Sequence, residues 1–383
     1  MRRLRLATRA CLALLVAGNI AGILVPAGLG WDFANFYDTG RRASAGLFDD
    51  LYHPERPILG AAPQGTLAFY GTPLSAWFYV PMSWLPPGQA LLWFKIQNAL
   101  AFAVALGVLF LEFRRLSPPD QYSQARFAAG FACAALLYQP FWTVYRVGGQ
   151  TTPTVLLSIA LALSAHLRAR FGWAALAWVV AILIKPAFGP GLILLAGFSG
   201  WRFFFSIAGF SAVAGLLSVV TTGWAVHRDF LEMLRNNAAL VYPWFYNSSI
   251  YLLTGEGALS WTLKLAALAS FLWMLHRRRP GPREKVTMAL FFALLFASTV
   301  WEHYLALLFP FFCFAIARGA NWSPSVRWTV AAMFALAASQ NLILALLLRD
   351  HFPSAEFIWK VWKAAPLLLG WALLMKQPAN RRP

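Results

Sequence analysis

The residues of this chain that are best suited to chemistry are a few ionisable side chains at the borders of apolar runs. Asp32 stands among aromatic residues directly after the first apolar run, in the segment Trp31-Asp32-Phe33-Ala34-Asn35-Phe36-Tyr37. A carboxylate at such a border can sit in a partly dry cleft and accept a proton from a hydroxyl group. The alternative is a helix N-cap, since Asp32 precedes a plausible short helix whose free amides it could satisfy. The sequence leaves both roles open.

Two basic residues, Lys185 and Arg146, lie near the ends of apolar runs on the same predicted side as Asp32. Such cations can hold a phosphate group, or their long side chains can simply reach the membrane interface. Lys185 is followed by Pro186, and a charge beside a helix break is costly unless it has a partner. The pattern therefore favours a functional role for Lys185.

A second polar group lies between two short apolar runs late in the chain, where Glu302 and His303 are adjacent. Two neighbouring ionisable groups at membrane depth indicate a substrate-binding position or a second acid/base position. The alternative is an ordinary loop in which Trp301 and Tyr304 are interfacial belt residues. Gln150 is a further candidate, because its amide can hydrogen-bond a substrate hydroxyl group.

The elements that must position these residues are membrane helices. The chain has 383 residues, of which 60% are hydrophobic and only 12% are charged, and this composition excludes an ordinary soluble protein. Apolar runs of about 20 residues recur along almost the whole length. We predict an all-α polytopic membrane protein with about 10 to 13 transmembrane helices, forming a single membrane-embedded domain over residues 1–383.

The candidate spans have loose boundaries. They cover residues 8–29, 88–112, 127–144, 152–167, 172–184, 188–200, 203–222, 259–275, 286–300, 303–317, 328–348 and 361–375. The pairs that flank Lys185-Pro186 and Trp301-Glu302-His303 are too short to cross alone, so they are re-entrant or joined. The first run has the charged head of a signal peptide but no clear cleavage site before Trp31, which predicts an uncleaved first helix.

Basic residues divide unequally between alternate loops, with about twice as many on one side as on the other. This bias predicts a multi-pass protein of the plasma (inner) membrane with both termini in the cytoplasm. Residues 31–72 and 223–258 then form long outer loops, and the active site faces outward. The second loop is rich in aromatic and amide side chains, which suit recognition of a substrate but equally suit a membrane-surface helix followed by an aromatic belt. Its polar and aromatic residues are Trp224, His227, Arg228, Asp229, Asn236, Asn237, Tyr242, Trp244, Tyr246 and Asn247.

The formal charge of +18 does not indicate a nucleic-acid partner. Arg and Lys occur in short clusters between apolar runs, as topology signals beside anionic membrane lipids do, rather than along one polar face. The three cysteines lie inside apolar runs without metal-type spacing. A divalent metal is possible but not demanded, because Asp49-Asp50 is too ordinary a pair to name as a metal site.

Short motifs in a fixed order carry a resemblance to a known family. The order begins with Asp32-Phe33, Gly40, Gly46-Leu47 and Leu51-Tyr52, and continues with Tyr70-Gly71-Thr72-Pro73-Leu74 before Leu85-Pro86-Pro87. Gly149-Gln150, Ile184-Lys185-Pro186 and Trp301-Glu302-His303-Tyr304 follow. Together they resemble glycosyltransferase family 87, the bacterial polyprenyl-phosphate-mannose-dependent mannosyltransferases and their relatives. The resemblance covers nearly the whole chain.

The resemblance implies the multi-helix membrane fold called type C. It further implies transfer of a hexose, with mannose as the best-known case, from a polyprenyl-phosphate-linked donor to a lipid or glycan acceptor, with inversion at the anomeric carbon. Asp32 matches the expected general base. The sequence departs from the family pattern at two positions. The family often has Asp in place of Glu302, and its Asn-like position that follows Gln150 is Thr152 here.

The expected partners are the lipid-linked sugar donor, the acceptor and membrane lipids, with no required cofactor. A nucleotide-sugar donor is disfavoured, because the sequence contains neither a soluble cytoplasmic domain nor a Gly-rich phosphate loop. The alternative is a transporter or flippase of lipid-linked saccharides. Such a protein should show repeat symmetry and paired charges near the bilayer midplane, and neither is visible in the sequence.

Overall fold

A computed structural model describes residues 1–25, 31–53, 69–146, 149–239, 247–255, 257–339 and 356–376. Within these ranges the regular structure is helical, and the only bridge of β type joins Asn247 to Trp301. The prediction of an all-α protein is therefore confirmed.

The helices of the first half begin with one long apolar helix and a short amphipathic one. They are α1 (Arg2–Leu24), α2 (Trp31–Ser44), α3 (Val80–Ser83), α4 (Pro87–Arg114), α5 (Gln121–Leu137), α6 (Gln139–Arg146), α7 (Thr152–Leu167) and α8 (Phe171–Ile184). A 3-10 helix, Pro73–Tyr79, leads into α3, and another, Pro186–Phe188, follows α8.

The second half has the same character. Its helices are α9 (Gly189–Phe198), α10 (Trp201–Thr222), α11 (Trp224–Ala239), α12 (Ala258–Arg278), α13 (Pro282–Phe296), α14 (Phe309–Arg318), α15 (Pro324–Ala338) and α16 (Glu356–Lys376). The 3-10 helices here are Ile250–Leu253, Glu302–Leu308 and Gly319–Asn321.

The chain is a multi-pass membrane protein. Within the described ranges, five helices are long and apolar enough to cross a bilayer, namely α1, α4, α10, α12 and α16, and α5 with α6 forms a sixth candidate bent by 43°. The remaining apolar helices, such as α7, α8 and α9, are shorter. Each predicted span overlaps a helix, but many of these helices are too short to cross a bilayer alone.

Both predicted breaks are present. Lys185 ends α8 in an extended conformation with φ −135° and ψ 88°, as expected for a residue that precedes proline. The second break separates α13 from α14, where an extended segment leads into the 3-10 helix Glu302–Leu308. These interruptions place polar residues between apolar helices rather than at their outer ends.

The two predicted outer loops each contain a helix, and they pack on one another. Side chains from the first, including Phe48, Leu51 and Tyr52, form an apolar cluster with Val226 and Met233 of α11. The rings of Tyr52 and Phe230 lie 5.4 Å apart. The buried members of this apolar cluster are Ala43, Phe48, Leu51, Tyr52, Phe69, Ala76, Tyr79, Val80, Val226 and Met233.

Candidate active site

Three polar residues from distant parts of the sequence meet at one end of the helix bundle. Asp32 lies in the first turn of α2, Gln150 precedes α7, and Lys185 lies in the break after α8. Gln150 makes a side-chain hydrogen bond to the Asp32 carboxylate, and its Oε1 accepts one from Lys185 Nζ at 3.3 Å. Gln150 therefore links the acid to the base.

A glycine makes the approach of Gln150 to α2 possible. Gly149 has φ +95°, a conformation that residues with a side chain rarely adopt. A Cβ atom at this position would lie 2.9 Å from Phe94 Cδ1 and 3.5 Å from Phe33 Cβ. Gly149 therefore lies close to Phe33 and Phe94, where a side chain would not fit, and this close approach places Gln150 beside Asp32.

The break that carries Lys185 is also held by the first predicted loop. Pro186 lacks an amide hydrogen and ends the α8 hydrogen-bond ladder. The Leu183 carbonyl accepts hydrogen bonds from the Thr72 amide at 3.0 Å and from Thr72 Oγ1 at 2.9 Å. Thr72 therefore satisfies a carbonyl group that the helix leaves free, and it fixes the first loop beside Lys185.

The late motif completes the cluster from another side. Lys185 Nζ lies 4.2 Å from the centroid of the Tyr304 ring, a cation–π distance, and Tyr304 also contacts Phe188 at 5.6 Å between centroids. His303 is only 6% exposed, and its Nε2 has no hydrogen-bond partner within the part of the chain that the structure describes. A buried nitrogen in that state is available to a ligand or an ordered water molecule.

The surroundings alter the acidity of Asp32. Burial raises the pKa of the Asp32 carboxyl above its usual value, whereas the Gln150 hydrogen bond and the Lys185 charge act in the opposite direction. Desolvation is the largest influence. A carboxylate with a raised pKa is a stronger base towards a hydroxyl group.

Glu302 has a different neighbour. Its Oε1 forms an ion pair with Lys363 Nζ of α16, and both side chains are buried. A buried charge of this kind requires its partner, so the pair fixes the 3-10 helix that carries His303. A second catalytic role for Glu302 stays a prediction.

Lys363 was missed in the sequence analysis. The signal was present, since Lys363 interrupts the apolar run of the last predicted span, and an intramembrane lysine normally has a partner. Tyr304 was assigned to the late motif and to the interfacial belt, but its contact with Lys185 was not predicted.

The remaining predicted residues are outside the cluster or outside the described part. Arg146 ends α6, and its side chain lies outside the described residues, as do the side chain of Asn237 and residues 240–246 with Tyr242, Trp244 and Tyr246. Asn247 is fully buried, and its Oδ1 accepts hydrogen bonds from the Ser249 and Val300 amides, each at 2.9 Å. His227 bonds to the Gly223 carbonyl and to Ser218 Oγ. Asn247 and His227 thus serve the chain's own structure.

Metal ligands are not gathered in the described ranges, where no three His, Cys, Asp or Glu side chains lie close enough together to hold an ion. Two carboxylates that do lie together, those of Asp38 and Asp50, share Arg42. Arg42 Nε donates to Asp38 Oδ2 at 2.9 Å, and Arg42 also pairs with Asp50. Arg42 thereby joins α2 to the turn that follows it.

The comparison with protein families decides the classification. The model of glycosyltransferase family 87 matches residues 69–301, which is more than half of the chain. The chain belongs to glycosyltransferase family 87. The matched segment of this family 87 protein includes Gln150 and Lys185. Asp32 precedes the segment, and His303 follows its last residue, Trp301.

Solved structures resemble this family 87 protein more weakly. ArnT from Cupriavidus metallidurans bound to undecaprenyl phosphate is 15% identical, with a TM-score of 0.44 over 96% of this chain and 76% of that one. The same protein in the apo state is 17% identical, with a TM-score of 0.45 over 97% of this chain and 77% of that one. Among curated proteins, no sequence matches this chain significantly.

Proposed function

We propose that this protein transfers a hexose, with mannose as the first candidate, from a polyprenyl-phosphate-linked donor to a hydroxyl group of a lipid or glycan acceptor. The observation that carries the proposal is the cluster of Asp32, Gln150 and Lys185 at the end of a membrane bundle in a family 87 chain. It combines a base for the acceptor with a cation for the donor phosphate, which are the two groups that this reaction needs.

Asp32 is the proposed general base. The acceptor oxygen attacks the anomeric carbon on the face opposite the phosphate, the acceptor O–H proton passes to the Asp32 carboxylate, and the bond between the anomeric carbon and the phosphate oxygen breaks. This single displacement inverts the anomeric configuration. The half-buried position of Asp32 supports the role, because a partly desolvated carboxylate holds a proton more tightly than one in water.

Lys185 is the proposed partner of the donor phosphate. The phosphate gains negative charge as the sugar leaves, and a fixed ammonium group at that point lowers the barrier. Lys185 is 8% exposed and is held by Gln150 and the Tyr304 ring, so it requires little reorganisation. Arg146 is the second proposed phosphate ligand, on the strength of its position at the end of α6, four residues before Gln150.

Gln150 and His303 are the proposed sugar ligands. The Gln150 amide already bonds to both charged residues. The Nε2 of His303, which has no hydrogen-bond partner among the residues that the structure describes, offers one further hydrogen bond. Because Lys185 supplies the positive charge, we propose that the reaction requires no divalent metal. Transfer should then persist in excess chelator.

The proposed orientation places the cluster on the outer face and both termini in the cytoplasm. Support comes from the distribution of arginine. Arg168 follows α7 and Arg283 lies in the first turn of α13, at the end of the bundle opposite Gln150 and Lys185, and an excess of basic residues marks the cytoplasmic side.

The direct experiment is transfer of radiolabelled mannose from polyprenyl-phosphate-mannose to membrane lipid or glycan acceptors by the purified protein in proteoliposomes. Transfer by the wild type that is abolished in Asp32→Asn supports the proposal. A matched control is Asp49→Asn, which removes an exposed carboxylate from the same outer segment. If the wild type transfers nothing but moves the labelled donor between leaflets, the protein is a flippase and the enzyme proposal is refuted.

A further inference from the structure

A second polar centre lies around Glu112, near the C-terminal end of α4. The Glu112 side chain is 1% exposed, and its Oε1 accepts hydrogen bonds from Arg168 Nη1 at 2.6 Å and from Ser164 Oγ at 2.9 Å. Its Oε2 lies 3.1 Å from Arg115 Nη1 and 3.7 Å from Arg283 Nη2. A single buried carboxylate therefore has three guanidinium partners.

The centre carries surplus positive charge. Three arginines surround one glutamate, and Arg318 at the end of α14 lies within electrostatic range of Arg283. Arg115 and Arg168 each give only Nη1 to the carboxylate, and Arg168 Nη1 also donates to the Ser164 carbonyl and to Ser164 Oγ. The Nε and Nη2 groups of both arginines make no hydrogen bond within the described residues. An arrangement of guanidinium groups that exceeds its carboxylates attracts an additional anion.

The arginines remain accessible although the carboxylate is not. The Arg115 side chain is 57% exposed and that of Arg168 is 39% exposed. Arg283 is partly covered, and its Nε donates to the Glu112 carbonyl at 2.9 Å, which holds the start of α13 against the end of α4. Glu112 therefore acts as an anchor that orders the guanidinium groups at the protein surface.

The centre is remote from the candidate active site. Gln150 stands before the first residue of α7 and Arg168 follows its last, and a 16-residue α-helix spans about 24 Å. Lys185 likewise lies at the far end of α8. The arginines are thus at the opposite end of the bundle, where long apolar helices such as α4 leave the hydrocarbon layer.

We propose that Arg115, Arg168 and Arg283 bind the phosphate headgroup of an anionic phospholipid in the leaflet opposite the candidate active site. Guanidinium groups match the geometry of phosphate oxygens and form two parallel hydrogen bonds with them. A lipid is favoured over a free anion, because the arginines lie at the end of a membrane-crossing helix, at the depth where headgroups lie. The proposal does not depend on sugar transfer, and its test does not measure it.

The test uses the full-length protein in bilayer nanodiscs of phosphatidylcholine with a minor fraction of phosphatidylglycerol. Native mass spectrometry measures how much of each lipid stays on the protein after release. We expect the wild type to retain phosphatidylglycerol in preference to phosphatidylcholine, and each arginine removed should reduce that preference about fivefold. The double variant Arg115→Gln with Arg168→Gln should lose nearly all of it, whereas Arg115→Lys with Arg168→Lys should retain a large part.

Arg202→Gln is the matched control, because Arg202 is exposed at the same end of the bundle and stacks on Trp201 instead of pairing with Glu112. Equal loss in this control would show general surface attraction and would overturn the proposal. So would unchanged retention in the double Gln variant, or displacement of the lipid by an equal concentration of inorganic phosphate. If the double variant is not monodisperse, Arg115→Gln alone gives the same comparison at the most exposed of the three side chains.

Discussion

The replacement Asp32→Asn separates the proposed chemistry of the candidate site from its architecture. Asparagine has nearly the same shape as aspartate, and its Oδ1 can still accept the hydrogen bond from Gln150. It lacks the charge and the basicity needed to take a proton from the acceptor. Since Asp32 is only half-buried, we expect the fold to survive the change.

The size of the effect follows from the role assigned to the carboxylate. Loss of a positioned general base lowers kcat about 10²- to 10⁴-fold, which corresponds to about 3–5.5 kcal/mol of transition-state stabilisation. The KM for the donor should not rise, because Asp32 is proposed to contact the acceptor and because Lys185 loses a competing anion. Loss of donor binding would instead raise KM and leave kcat nearly intact.

The assay measures initial rates of mannose transfer in proteoliposomes over a range of donor concentrations. Asp49→Asn is assayed in parallel, and thermal unfolding of each variant checks that the fold is retained. A wild-type kcat in a correctly folded Asp32→Asn protein would refute the assignment of the base. Transfer would then have to depend on another group, and Glu302 would be examined next.

Four further outcomes follow from the same contacts. Lys185→Met should lower kcat, because the ammonium group is proposed to stabilise charge that develops on the phosphate, and should raise the donor KM about tenfold or more through loss of a charge-assisted phosphate contact. Lys95→Met, which removes a lysine bonded to the Val25 carbonyl, should leave both parameters unchanged. In the pH profile of kcat/KM, activity should fall on the acidic side at a pH above the usual pKa of an aspartate, because protonation inactivates a base whose pKa is raised. Lys185→Met should move this fall to still higher pH, because it removes a positive charge that lowers the pKa of Asp32. His303→Phe keeps a ring beside Tyr304 but removes Nε2, so kcat should fall about tenfold with no change in thermal unfolding. Glu302→Gln removes the negative charge that the buried ammonium of Lys363 contacts and should lower the free energy of unfolding by about 3–5 kcal/mol, and adding Lys363→Met should restore most of it. Lost activity at full stability would instead favour a catalytic Glu302.

Much of the architecture can be predicted from the sequence, because a bilayer requires long apolar runs and proline or charged residues interrupt them. The break at Lys185-Pro186 and the one before Glu302 are examples, since each combines a charge with an apolar surrounding. The number of helices that cross the whole bilayer is harder to predict from the sequence. Hydropathy marks α7, α8 and α9 as apolar, but it does not tell a membrane span from a shorter helix buried in protein.

The members of the candidate site were predicted separately, but their contacts were not. Gln150 was identified as a possible sugar ligand, yet the sequence gives no indication that it joins Asp32 to Lys185. That contact depends on the φ of Gly149 and on the packing of Phe33 against Phe94, which only the three-dimensional arrangement reveals. Likewise, the charge on Lys363 is visible in the sequence, but its partnership with Glu302 is a long-range contact that no local pattern encodes.

The ion pair between Glu302 and Lys363 has a consequence for biosynthesis. The Glu302 side chain is synthesised before the helix that carries Lys363, so until that helix forms Glu302 lacks the ammonium group that contacts it in the folded protein, and a carboxylate is costly inside the membrane. The segment with His303 and Tyr304 therefore reaches its final position only when α16 docks. Translation intermediates that end before residue 356 should expose this segment to quality-control proteases, even though Asp32, Gln150 and Lys185 have all been translated.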